Sequence, residues 1–462
     1  MIPGGPRLIP LVGPALARAT ALALGLAFVL PSAVAAHTLN ATYTSRLPLA
    51  VYLVGAAATV GLSFAFVIVR DVRAAVPPVE EVVGSLPPVW IRYPLRVIGL
   101  VGWAWIIAQG IAGGTSDGDV ATLFLWVYGW VGLAIVSAVI GPAWQFLDPF
   151  STLHDLGAAV LRGSHLRGWA AADYPEALGR WPAVIGFAFF VWLELAVQAG
   201  PATLFIVLVG YSAFTIAMMA QFGRDEWRSQ GETFTVWFRL LGRLAPWALV
   251  DEEGRVRARA FGSGLIERGW SAADVTLVAM AVASIIFDGL SQTETFFNLF
   301  GAPGLAEKTL LLFGFLGIIV ALGFVVSRAV GLDATGAGLL PIAVGYLIAH
   351  YLTYLLIDGQ RILIAISDPF QKGWDLFGTA FHTPTGAFLP PGVVWTIQLA
   401  AVVGGHMLGA WSGHVVATMD APPGISVSAL RRRQVPLAVV MVGLTTLTLW
   451  SLGQAIIVTP PA

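Results

Sequence analysis

Ten apolar segments divide this chain, and they constrain its fold more than any other feature. They lie near residues 48–69, 95–113, 119–141, 182–200, 202–221, 273–290, 308–328, 336–357, 393–418 and 435–457. Each is long enough, or nearly so, to cross a bilayer as a helix, which takes about 20 residues. The runs are continuously apolar, without the alternation of a barrel strand, so helices are the spanning form. The predicted fold class is an all-α integral membrane protein of about ten transmembrane helices. Its first partner is then the lipid bilayer.

Composition removes the competing classes. Only 11% of the 462 residues are charged and 57% are hydrophobic, against about 25% charged in a soluble domain. That balance excludes an ordinary soluble enzyme and a disordered chain. A net charge of −1 offers no basic surface for nucleic acid. The chain has no cysteine, so disulfides, thiolate metal sites and cysteine nucleophiles are excluded.

Residues 1–36 read as a secretory signal peptide. Arg7 and Arg18 precede the apolar run Ala19–Leu30, and Pro31-Ser32-Ala33-Val34-Ala35-Ala36 supplies small residues for cleavage. Cleavage after Ala36 leaves His37 at the mature N-terminus, and cleavage after Ala35 leaves Ala36-His37. The alternative is an uncleaved first helix.

Lys and Arg set the orientation. With His37 outside and ten crossings, nineteen of them fall on inner connections and four (Arg46, Lys308, Arg361, Lys372) on outer ones. The expected location is a bacterial cell membrane, with the mature N-terminus and the C-terminus both extracytoplasmic. The long inner loop 222–272 contains Thr233-Phe234-Thr235-Val236-Trp237-Phe238-Arg239-Leu240-Leu241-Gly242-Arg243-Leu244. Aromatic residues and Leu interleaved with Arg predict an amphipathic helix lying in the headgroup layer. A second amphipathic stretch is expected around Leu153–Leu166.

An internal echo suggests two halves. Asp148-Pro149-Phe150 and Asp368-Pro369-Phe370 are each followed, four residues on, by Asp-Leu. The spacing of 220 residues carries the first four spans onto spans six to nine. The expected organisation is a five-helix half at 37–221, the inner loop 222–272, and a second five-helix half at 273–462. An odd number of spans makes the halves inverted, which is a transporter architecture.

Ionisable groups inside a span are costly and are site candidates by default. They are Glu194, Asp288, His350, His406 and His414. Depths counted along the helices put Glu194, Asp288 and His350 in the outer half, with Tyr354 beside them and Asp358 at an outer helix end. His406 falls near the middle, and His414 two turns deeper. Three readings of this set stay open. In one, His350 and His406 ligate a divalent metal such as zinc or copper, and Asp288 or Glu194 is third ligand or general base for a metal-bound water. In another, the same groups relay protons or bind a small substrate or ion. In the third, paired histidines ligate haem. The bland alternative is interhelical hydrogen bonding. A mature N-terminal His37 would add an amine–imidazole chelate suited to copper.

Several segments are familiar together. They are Phe222-Gly223-Arg224-Asp225-Glu226-Trp227, Phe287-Asp288-Gly289-Leu290, Ala349-His350-Tyr351-Leu352-Thr353-Tyr354, Asp358-Gly359-Gln360, Ser367-Asp368-Pro369-Phe370, Gly373-Trp374-Asp375-Leu376-Phe377-Gly378-Thr379-Ala380 and Gly405-His406. The set resembles a family of bacterial polytopic membrane proteins called fenitrothion hydrolases. The resemblance covers most of the chain after residue 37 and is densest from 280 to 415. It implies hydrolysis of an organophosphorus triester, and a metal-activated water is a sensible route for that reaction.

Overall fold

The computed structural model describes residues 84–113, 118–161, 172–251 and 253–452, with isolated positions at Gly55, Ala58 and Gly61. The expected signal peptide, His37, the bulk of the span near 48–69 and His165 lie outside the described residues. The helices are α1 (Val89–Ala112), α2 (Val120–Val139), α3 (Pro149–Leu161), α4 (Trp181–Val197), α5 (Pro201–Phe222) and α6 (Arg224–Gln230). They continue as α7 (Thr233–Leu241), α8 (Ala272–Ser291), α9 (Glu294–Phe300), α10 (Leu305–Val330), α11 (Leu332–Asp358), α12 (Pro391–Met419) and α13 (Val427–Leu452). Among the described residues, eight helices are long and apolar enough to cross a membrane, and α4 is a shorter apolar helix. Among the described residues the regular structure is helical apart from one hairpin, in which Trp247–Leu249 pairs with Val256–Ala258, and a single bridge from Ser85 to Val256.

α8 is the hub. It is apolar on every face and buried along almost its whole length, as a helix enclosed by others must be. Its start is fixed twice. Ser271 and Asp274 form a capping box, and Arg180 donates to both Asp274 oxygens at 2.9 Å. The Ser271 hydroxyl accepts from the Asp274 N–H, and the Asp274 carboxylate accepts from the Ser271 N–H and meets the positive helix end. Asp288 lies fourteen residues further on, roughly 21 Å along the axis.

α11 and α12 pack antiparallel with their backbones in contact. A Cβ on Gly405 would lie 2.5 Å from the Pro341 carbonyl, and one on Gly409 2.3 Å from the Gly338 carbonyl. Small residues allow this approach, which lipid-exposed helices use in place of a hydrophobic drive.

Two spans depart from α-helical winding. Leu123–Leu133 in α2 and Leu193–Val197 in α4 are π-helical. Such wide turns are rare and collect at functional sites. The second ends at Gln198, whose φ of 52° reverses the chain.

The helix expected to lie on the membrane surface forms at Thr233–Leu241 but is packed inside the protein. Trp237 stacks 6.2 Å from Trp130 and lies 5.4 Å from Phe187. Its apolar face is therefore covered by the protein's own rings, not by lipid. The two Asp-Pro-Phe segments also differ locally. Asp148 caps α3 through the Phe150 N–H, whereas Asp368 closes a turn through the Lys372 and Gly373 N–H groups.

A buried carboxylate–histidine site

Asp288 organises the site. His350 Nε2 is 3.0 Å from its Oδ2, and the Tyr351 hydroxyl donates to the same oxygen at 2.8 Å. Gln292, which caps the C-terminal end of α8 one turn on, donates to Oδ1 at 2.9 Å. Asp288, His350 and Tyr351 are all buried. A carboxylate so enclosed persists because each oxygen finds a donor. The sequence places these donors simply. His350 and Tyr351 are adjacent on α11, and the helix twist lets both reach one carboxylate from α8.

The other ring nitrogen of His350 is not used by this network. This Nδ1, the Tyr346 hydroxyl and the Ser451 hydroxyl are buried without a hydrogen-bond partner. All three groups converge on Gly289. A Cβ built there would lie 2.7 Å from Ser451 Oγ, 3.1 Å from the Tyr346 hydroxyl and 3.3 Å from His350 Cε1. Tyr346 and Ser451 stand near each other at a geometry that closes no bond. Glycine at 289 thus leaves a small polar cradle, lined by groups with unused donor and acceptor capacity.

Glu194 reaches this network from α4. It is buried in the π-helical turn and lies within Coulombic range of Asp288. Tyr354, one turn beyond His350, is within range of Glu194, Asp288 and Asp358. Asp358 is ion-paired to Arg361 Nε at 3.1 Å and marks the helix end. Four of the sequence candidates, Asp288, Glu194, His350 and Tyr354, are therefore brought together, and Asp358 extends the series to the protein surface.

His406 and His414 are elsewhere. His406 Nδ1 bonds the Val402 carbonyl of its own helix at 2.8 Å, and His414 Nδ1 bonds Gln434 Oε1 at 2.7 Å. Gly405 packs against Pro341 and Gly345, so His406 lies some six to nine residues below His350, roughly 9–14 Å along the axis. A shared ion would need both ring nitrogens about 2.1 Å from it. Among the described residues, no group of three or more His, Cys, Asp or Glu side chains could hold a metal ion. The donors expected for zinc or copper at His350 and His406 are thus held apart by the helix register.

Sequence reasoning missed Tyr351, Gln292, Tyr346, Ser451 and Thr448. Tyr346 and Tyr351 had a usable signal, since they flank His350 within one turn. Ser451 and Thr448 had none, because only tertiary packing brings α13 to α8 and α11. The unpartnered groups also continue along the bundle. Thr448 Oγ1, His406 Nε2, His414 Nε2 and Gln434 Nε2 are buried without partners. No protein-family model, curated protein or solved structure matches the chain.

Proposed function

We propose that this protein is a secondary transporter that couples solute movement to a proton carried on the Asp288–His350 pair. The observation that carries this reading is the file of buried polar groups with open hydrogen-bonding capacity. It starts beside the fully bonded Asp288 and takes in His350 Nδ1, the Tyr346 and Ser451 hydroxyls, Thr448 Oγ1, His406 Nε2 and the His414–Gln434 pair. Ionisable groups placed this deep mark ion and proton pathways.

Two features support ten spans in inverted five-helix halves. α2 and α11, counterparts under the 220-residue shift, pack together, and Tyr128 donates to the Gly359 carbonyl at 2.6 Å. The site also draws on both halves, with Glu194 from one and Asp288 and His350 from the other, as repeat-built transporters arrange theirs. In this reading the Asp358 end faces outward and the arginine-rich end inward.

The test is solute-driven proton flux in proteoliposomes containing a pH-sensitive dye, across a panel of small organic anions, cations and neutral solutes. Wild type should move protons with a solute, and Asp288→Asn and His350→Gln should abolish the flux at equal reconstitution. Undiminished flux in Asp288→Asn would overturn the assignment.

The resemblance to fenitrothion hydrolases supports a second reading, and one contact favours it. Asp288 holds His350 Nε2, and a Cβ built on Gly289 would lie 2.7 Å from Ser451 Oγ and 3.3 Å from His350 Cε1, so the hydroxyl and the ring border one small space. That is the order of a carboxylate-oriented base beside a nucleophile. Among the described residues the donor set does not fit a resident divalent ion, so no metal-dependent step is assigned. Release of nitrophenol from a nitrophenyl phosphotriester, lost in Ser451→Ala but with proton flux retained, would favour hydrolysis.

A further inference from the structure

The arginine-rich end of the bundle carries a cavity unrelated to the carboxylate site. Arg92 and Arg96 stand one turn apart near the start of α1, and Arg224 and Arg228 one turn apart on α6. Their guanidiniums, with Ser151 and Thr152, line a space of about 50 Å³.

Two of the four arginines are already neutralised. Arg228 is buried, with Nε 3.2 Å from Asp148 Oδ2 and Nη2 bonded to Gln145 at 2.6 Å. Arg224 donates to both Asp155 oxygens and to Asp225. The other two are not. Arg96 reaches Asp155 only at 3.9 Å. Arg92 makes no ion pair with the described residues, and its Nε is buried without any acceptor. Among the described residues the one further carboxylate at the cavity, Glu253, is largely exposed and pairs at 3.7 Å with Arg255. A buried guanidinium N–H without an acceptor is costly, so the site is incomplete as the chain alone builds it. Guanidinium forks are matched best by an oxyanion with several acceptor oxygens.

The surroundings point to where that oxyanion comes from. On the same turns of α1, Trp90 is 75% and Tyr93 61% exposed. Amphipathic rings at the end of a membrane helix sit at headgroup level. Basic cavities between helices at this level take anionic headgroups.

We infer that this cavity binds a phosphate oxyanion through Arg92 and Arg96, with the headgroup phosphate of an anionic lipid as its source. A free inorganic phosphate shares the chemistry and is separated by experiment. The full-length protein in maltoside micelles, which carry no phosphate, is titrated with phosphatidylglycerol or with inorganic phosphate. Bound species are read by native mass spectrometry, and the unfolding midpoint is followed in parallel. Phosphatidylglycerol should bind and raise the midpoint. Arg92→Gln and Arg96→Gln should each weaken binding about fivefold. Arg268→Gln, at the same end but paired with Asp420, should leave it unchanged. Binding of inorganic phosphate with the same arginine dependence, and none of lipid, would keep the oxyanion site and refute the lipid source. Equal lipid binding in Arg92→Gln and wild type, or no binding of either ligand, would overturn the proposal.

Discussion

Tyr351→Phe and Asp288→Ala, made singly and together, measure whether the Asp288 network holds the bundle. Asp288 accepts from two buried donors, His350 and Tyr351, and from the partly exposed Gln292. Removing the carboxylate strands the two buried donors, at about 1–3 kcal/mol each. Hydrogen bonds between membrane helices measure lower, near 0.6 kcal/mol on average. Gln292 can turn to water and adds little. The expected cost of Asp288→Ala is therefore about 2–4 kcal/mol. Tyr351→Phe removes one charge-assisted bond and should cost about 1–2 kcal/mol. In the Asp288→Ala background the hydroxyl is already stranded, so the same change should cost nothing or stabilise. The coupling energy is then about 1–2 kcal/mol. It is read from reversible unfolding in mixed detergent micelles, followed by the fluorescence of the 17 tryptophans. Costs that add to within about 0.3 kcal/mol would refute the network.

Three further outcomes follow from the same structure. Gly405→Ala and Gly409→Ala drive a methyl into the backbone carbonyls of α11 and should each cost about 1–3 kcal/mol, whereas Gly314→Ala and Gly443→Ala, which meet nothing, should be neutral or stabilising by thermal unfolding. Arg180→Ala leaves the fully buried Asp274 with only its Ser271 contacts and should lower stability by about 3 kcal/mol; a loss under about 0.5 kcal/mol would show that the capping box alone suffices. Burial, and then the neighbouring Asp148 charge, push the Glu232 carboxyl above its ordinary value of 4.5. The folded protein then holds a proton that the unfolded chain releases, so the stability from this group is full below pH 4.5 and is lost as pH rises through the raised folded value. Glu232→Gln should flatten the fall in unfolding midpoint across that window, and an unchanged slope would remove Glu232 as its cause.

The spans were legible because membrane burial is written in composition. A helix in hydrocarbon must be apolar along its whole length, so α8 and α11 are visible as unbroken runs. Asp288 and His350 stood out within them for the same reason, since a polar group there breaks the pattern. Sequence by itself therefore determined the helical membrane fold class, the approximate places of the described apolar helices and the short roster of costly residues. It could not order that roster in space. His350 and His406 look equivalent as isolated histidines, yet the glycine contacts of α11 with α12 fix a register that separates them by several residues of rise. The amphipathic pattern of Thr233–Leu241 shows that one face is buried, but not whether lipid or protein buries it, and Trp130 and Phe187 decide that. Ser451 is one hydroxyl among many until α13 packs beside Gly289. Periodicity reports the environment of each helix separately. Which residues meet is set by crossing angles and register, and these depend on side chains from several helices at once.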